Sequence, residues 1–209
     1  MGGVYFDATG QGYVWRFPFP ADVQSQLVSK SNPSGRITNS DLEQAGLLGQ
    51  VATMAHHHDV TYSTLSNGSD NTPAVSRIAK GAVSSDGPAA HLCNYACAHQ
   101  RQHRYCHVAY YLPGDANAMA DNASRLQHLT DTAFLAHFQQ AYPQAAPWRL
   151  LQLPPESASQ LISALRSESP PMPQPPSDAT PPTRSLGSGL TSAPGKAKTA
   201  PSVTSLART

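Results

Sequence analysis

Asp7, Glu43, Asp70 and Asp121 are acids that fall at the ends or first turns of elements readable from the sequence pattern. Carboxylates are hard oxygen donors, and four that converge can hold divalent ions such as Mg2+ or Mn2+. Without a cation they repel one another and raise at least one pKa, so such an arrangement makes sense only with bound metal. Asp7 closes the strand-like run Val4-Tyr5-Phe6, and Asp70 follows another in Ser69-Asp70-Asn71-Thr72. Glu43 lies in the first turn of a helix, and Asp121 in the opening turns of a helix capped by Asn117. Each has a plainer reading beside the chemical one. An acid near a helix start compensates the helix dipole, and in Ser40-Asp41-Leu42-Glu43 the glutamate would complete a capping box with Ser40.

Other residues with chemical potential read as structural. His56-His57-His58 point in different directions on a helix end, where imidazoles bond the last carbonyls. Cys93 and Cys97, with His91 and His99 nearby, lie on the apolar stripe of a helix and lack a second ligand pair at zinc spacing, so they are expected as buried core thiols. Arg101, His103 and Arg104 form a modest basic helix end, a solvated face that is also placed for phosphates.

The elements that must position the acids follow from periodicity and punctuation. Residues 4–8 and 13–17 alternate around Gly10-Gln11-Gly12 as a hairpin, and 21–32 offers only a weak third strand or a short helix. Leu42, Ala45, Leu48 and Ala52 recur at helical spacing, with Gly46 and Gly49 weakening that helix unless they allow close packing on a sheet. Residues 60–65 read as a strand, and Thr72-Pro73 starts a helix that runs to Gly81. Asp86-Gly87-Pro88 opens what reads as the longest helix, 105–112 reads as a strand, and Pro113-Gly114 breaks it. Amphipathic helices follow around Phe134, Leu135 and Phe138 and over 156–166, and from Ser167 onward Pro, Ser, Thr, Gly and Ala dominate, so 167–209 is expected to be disordered.

Composition narrows the class. At 209 residues, one domain with a tail is expected, and a formal net charge of +1 gives no general pull toward nucleic acid, so any such surface is local. No apolar run reaches the ~18 residues that span a bilayer. Three cysteines and no signal peptide argue for a reducing, intracellular compartment, cytoplasm or nucleus, and against secretion.

The element order strand-hairpin, helix, strand, helix, helix, strand, helix, with acids Asp7, Glu43, Asp70 and Asp121, resembles the ribonuclease H-like domains of retrotransposon polyproteins. The carrying motifs are Tyr5-Phe6-Asp7-Ala8-Thr9, Ile37-Thr38-Asn39-Ser40-Asp41-Leu42-Glu43, Ser69-Asp70-Asn71-Thr72 and, most specific, Asn117-Ala118-Met119-Ala120-Asp121-Asn122-Ala123-Ser124-Arg125. The resemblance implies an α/β fold with a mixed five-stranded sheet flanked by helices, comprising a ribonuclease H-like domain (1–130), a helical extension (131–166) and a Pro/Ser/Thr-rich tail (167–209). It further implies a site in which Asp7 bridges two Mg2+ or Mn2+ ions, Glu43 and Asp70 flank one, and Asp121 completes the other, for hydrolysis of the RNA strand of an RNA/DNA hybrid. Implied partners are that hybrid or another nucleic acid and a polymerase or recombinase domain of the parent polyprotein. The chain would then be a fragment, either an active nuclease or a non-catalytic remnant or nucleic-acid-binding module of the same fold. A DNA-directed nuclease or integrase of related fold is the third alternative, disfavoured by an acid on the first helix.

Overall fold

The computed structural model describes residues 1–84, 86–168 and, as backbone, 204–208. Its architecture is mixed α/β. The chain opens on an antiparallel hairpin, β1 (Gly2–Phe6) and β2 (Gly12–Arg16), in the register Val4 opposite Val14 and Tyr5 opposite Tyr13. Of the two alternatives read for 21–32, the short helix forms as α1 (Ala21–Ser25), and among the described residues there only an isolated bridge between Leu27 and Ile37 has strand character. Then come α2 (Asn39–His57), β3 (Thr64–Ser69), α3 (Thr72–Lys80), α4 (Pro88–His103), β4 (Cys106–Tyr111), a 3-10 turn (Gly114–Asn117) and α5 (Ala118–Arg125). They are followed by α6 (Asp131–Ala141), β5 (Arg149–Leu151), α7 (Pro155–Leu165) and β6 (Thr204–Arg208). With 19 residues, α2 is longer than α4, which has 16 and which the sequence pattern made the longest.

Among the described residues the sheet runs β4-β3-β6-β1-β2-β5. It consists of a three-strand part, β5-β2-β1, and a two-strand part, β3-β4, with β6 between them. β6 is antiparallel to β1 and parallel to β3, while β3 and β4 are parallel. Six strands thus stand among the described residues where five were expected, the sixth formed by the backbone of 204–208 within the region 167–209 that was expected to be disordered. Thr204-Ser205-Leu206-Ala207-Arg208 contains neither Pro nor Gly, so nothing in it prevents backbone pairing. Residues 169–203 and 209, the rest of the expected tail, lie outside the described residues.

Side chains alternate across the hairpin as a two-sided sheet requires. Val4 and Val14 pack with Ala120, Ala123, Phe134, Phe138 and Trp148 of the face covered by α5 and α6. On the other face Trp15 joins Leu48, Leu92, Leu161 and Leu165 of α2, α4 and α7, so residues 131–166 share the core of the preceding chain. Two close approaches fix these layers. A Cβ on Gly49 would come 2.7 Å from the Trp15 ring, and one on Gly2 would come 2.7 Å from the Ala123 backbone carbon, so α2 and α5 sit directly against the sheet. Arg16 ties β2 to the turn between α5 and α6, donating to the carbonyls of Leu126 and Leu129 and pairing with Asp131 at 2.8 Å.

Candidate carboxylate site

Glu43 is 2% exposed, in the first turns of α2. The capping box that would have explained it belongs to other residues. Thr38 is the N-cap, its hydroxyl accepts from the Asp41 N–H, and Asp41 Oδ2 accepts from the Thr38 N–H at 2.7 Å. Asp41 also pairs with Arg77 at 2.8 Å, so both its oxygens are engaged locally. The expected box of Ser40 with Glu43 is shifted by two residues, which leaves Glu43 inside the fold with no capping task. It accepts instead from the Ser69 hydroxyl at 3.4 Å.

That contact brings Glu43 to the end of β3. Ser69 Oγ also accepts from the Asn71 N–H, and Asn71 caps α3 through the Ala74 N–H, so Asp70 is held between two fixed residues. A Cβ on Gly114 would lie 3.2 Å from Asp70 Oδ2, which puts the 3-10 turn beside Asp70. Asp121 follows in the first turn of α5, 3.4 Å from Arg125. The helix it belongs to rests on Gly2, at the start of β1. The Met1 amine is close enough to Glu43 to feel its charge; burial lowers that amine to about 5, and Glu43 opposes the shift. Glu43, Asp70 and Asp121 therefore occupy the end of the sheet where β1 begins and β3 finishes.

Asp7 is at the other end. β1 carries the chain away from Glu43, and five residues of strand at ~3.3 Å each separate Gly2 from Asp7 by roughly 16 Å. Its carboxylate organises the hairpin turn, accepting from Thr9 N and Oγ1, Gln11 N and the Tyr13 hydroxyl. Those bonds, led by the Thr9 hydroxyl, hold its pKa below the usual carboxylate value. The assignment of Asp7 to the acid site is corrected accordingly.

The far end has chemistry that the sequence did not flag. The Tyr5 hydroxyl and His58 Nε2 lie 2.6 Å apart, the Tyr5 and Tyr13 rings stack at 4.9 Å, and a cavity of about 220 Å3 opens beside Tyr5, Asp7, His58 and Leu65. Burial pushes the Tyr5 phenol up and the His58 imidazole down, keeping both neutral. His58 thus meets a phenol and not a helix carbonyl, and His57 reaches the Gln152 carbonyl at 3.3 Å. Of the two thiols expected in the core, Cys93 is buried and Cys97 exposed.

Three hard carboxylates suit Mg2+ or Mn2+ in donor type. In placement they do not: among the described residues no three His, Cys, Asp or Glu side chains group closely enough to hold a metal ion. Beside them Asn117 is fully buried, and neither its amide oxygen nor its amide nitrogen has a hydrogen-bond partner among the described residues. An unsatisfied buried amide costs about 1–3 kcal/mol, so this end of the sheet carries polar capacity that its described neighbours do not use.

No protein-family model, curated protein or solved structure matches this chain. Among the described residues no helix is long and apolar enough to cross a membrane.

Proposed function

We propose that this chain is a ribonuclease H-like domain of a retroelement polyprotein, with the end of the sheet bearing Glu43, Asp70 and Asp121 as the part built to act on an RNA/DNA hybrid. One observation carries the reading. Three motifs widely separated in sequence, Thr38 to Glu43, Ser69 to Thr72 and Asn117 to Arg125, come to one end of one mixed sheet. The order hairpin, helix, strand, helix, helix, strand, helix supports the same family resemblance.

Of the two forms such a domain takes, hybrid-cleaving nuclease or non-catalytic nucleic-acid-binding module, the second is favoured for this chain as folded. Asp7 is at the wrong end to serve as the fourth acid, and the remaining three do not close into a cage. A cleavage assay decides between the forms. A labelled hybrid is incubated in Mg2+ or Mn2+ with wild type and with Glu43→Gln, Asp70→Asn, Asp121→Asn and Asp7→Asn. The non-catalytic form predicts hybrid binding without metal-dependent cleavage. Cleavage that is lost in the first three variants and kept in Asp7→Asn would establish the nuclease, and failure to bind or cleave any hybrid would refute both.

A further inference from the structure

The hairpin turn engages the two oxygens of Asp7 unequally. Oδ1 accepts from Thr9 N, Thr9 Oγ1 and Gln11 N, whereas Oδ2 accepts from the Tyr13 hydroxyl at 3.1 Å. A carboxylate offers about four lone pairs, two on each oxygen, so Oδ2 keeps capacity for another donor. Beside it stands Tyr5, 1% exposed, and both the Tyr5 phenol and the His58 imidazole feel the Asp7 charge. The Tyr5 hydroxyl and His58 Nε2 share one hydrogen, and whichever of them supplies it, the phenolic oxygen retains a lone pair.

The cavity of about 220 Å3 opens at this cluster. Met54, Val60 and Leu65, all buried, give it an apolar wall, and Ala8 supplies an exposed rim. Two carboxylates line it, Asp7 and Asp59, both held below the usual carboxylate range, Asp7 chiefly by the Thr9 hydroxyl and Asp59 by the Thr61 N–H. No lysine or arginine lines it among the described residues. Arg149, close to the Tyr13 hydroxyl, stands outside the lining. Asp59 also borders a second hollow with His103 and Arg104, which leaves Asp7 as the charge that belongs to this cavity alone.

We propose that the cavity is a binding site for a small primary amine, its ammonium on Asp7 Oδ2 and the Tyr5 hydroxyl oxygen and its apolar body against Met54, Val60 and Leu65. The lining selects that class. An ammonium carries three donors and no acceptor, which matches two acceptors of which one is charged. Hydrogen bonds between ionised partners are about twice as strong as neutral ones. An anion would meet two carboxylates, and a neutral ring would cover Asp7 Oδ2 without giving it a donor. Volume sets the size. Sites for drug-sized ligands measure about 300–1,000 Å3, so 220 Å3 admits a single ring or a short branched chain. A ring also suits the Met54 thioether, which packs favourably on aromatic edges. This site is independent of the reading of Glu43, Asp70 and Asp121, from which the length of β1 separates it.

Calorimetric titration of the full-length protein with benzylamine, cationic at neutral pH, and with benzyl alcohol, a neutral molecule of the same shape, tests this. Benzylamine is expected to bind with a millimolar or tighter dissociation constant, and benzyl alcohol about tenfold more weakly or not at all. Asp7→Asn, which removes the charge at nearly constant volume, should weaken benzylamine by about tenfold or more, and Tyr5→Phe, which removes the hydroxyl, by about threefold or more. Ala8→Trp should close the rim and abolish binding. No binding of benzylamine by wild type, equal affinity for the amine and the alcohol, or unchanged amine affinity in Asp7→Asn would each overturn the proposal. Should Asp7→Asn or Tyr5→Phe fail to fold, Ala8→Trp, at an exposed position, still decides: benzylamine binding undiminished in that variant would place the amine elsewhere and overturn the site.

Discussion

His107 Nε2 and Asn67 Oδ1 lie 2.7 Å apart in the interior, and the Asn67 amide nitrogen donates to the Leu47 carbonyl at 2.9 Å. Asn67 Oδ1 can only accept, so the His107 proton sits on Nε2 and its Nδ1 presents a buried lone pair with no partner among the described residues. Protonating Nδ1 would bury a charge with nothing to receive its hydrogen. Burial, aided by nearby His99, accordingly lowers His107 to about 3, and burial with His103 lowers His99 to about 4.

Acid should therefore unfold this protein early. A histidine whose folded pKa lies below its unfolded value of 6.5 contributes stability that is complete above pH 6.5 and is lost as pH falls toward the folded pKa. Each such group removes up to about 1.4 kcal/mol per pH unit within that window. Urea unfolding at pH 7, 6 and 5 should show a steep loss, and His107→Asn, which keeps a donor for Asn67, should reduce the proton uptake on unfolding by about one. An unchanged pH slope in that variant would refute the assignment.

Asp7→Asn should behave as a turn mutation. Four hydrogen bonds to its carboxylate are weakened or lost, yet the residue is only partly buried, so a cost of about 0.5–1 kcal/mol is expected after screening. Any rise in melting temperature with Mn2+ should be the same as in wild type. A Mn2+ response abolished by Asp7→Asn and kept in Asp70→Asn would reverse the placement of the acids.

Gly49→Ala pits helix propensity against packing. Alanine gains about 1 kcal/mol in a helix interior, but its methyl would meet a Trp15 ring that is fully buried and whose Nε1 donates to Gln50 Oε1 at 2.5 Å. Overpacking of this kind costs about 1–3 kcal/mol, so a net loss is expected in denaturant unfolding. A gain in stability would mean that α2 can lift from the sheet.

Native thiol labelling should separate the cysteines. Cys97 and Cys106 are exposed and Cys93 is buried, its thiol pushed up by burial, so two thiols should react promptly and the third only on unfolding.

Much of the fold was legible because its elements announce themselves locally: the glycine-joined hairpin, the Leu42 to Ala52 spacing and Thr72-Pro73 all appear as read. β5 and β6 did not, since three residues show no periodicity and a small strand inside a Pro- and Ser-rich region resembles its surroundings. The misplacement of Asp7 has a different origin. It ends a strand, as Asp70 does, but β3 runs parallel to β6 and β6 runs antiparallel to β1, so the two strand ends face opposite ways. Local pattern carries no information about direction. The Glu43 ambiguity was a matter of two residues: both Thr38 and Ser40 can cap, and the pairing of Asp41 with Thr38 decided it.

The pairing of β1 with β6 also dictates an order of events in folding. Val4 and Leu206 are partners, so the sheet's interior contact has one of the longest sequence separations this chain allows. At about 5–20 residues per second, roughly 10–40 s pass on the ribosome between synthesis of the first partner and the second. During that interval the inner edges of β1 and β3 present unpaired backbone groups, and such edges invite association. Slow, loop-closure-limited completion and a need for protection of nascent chains follow from the topology alone.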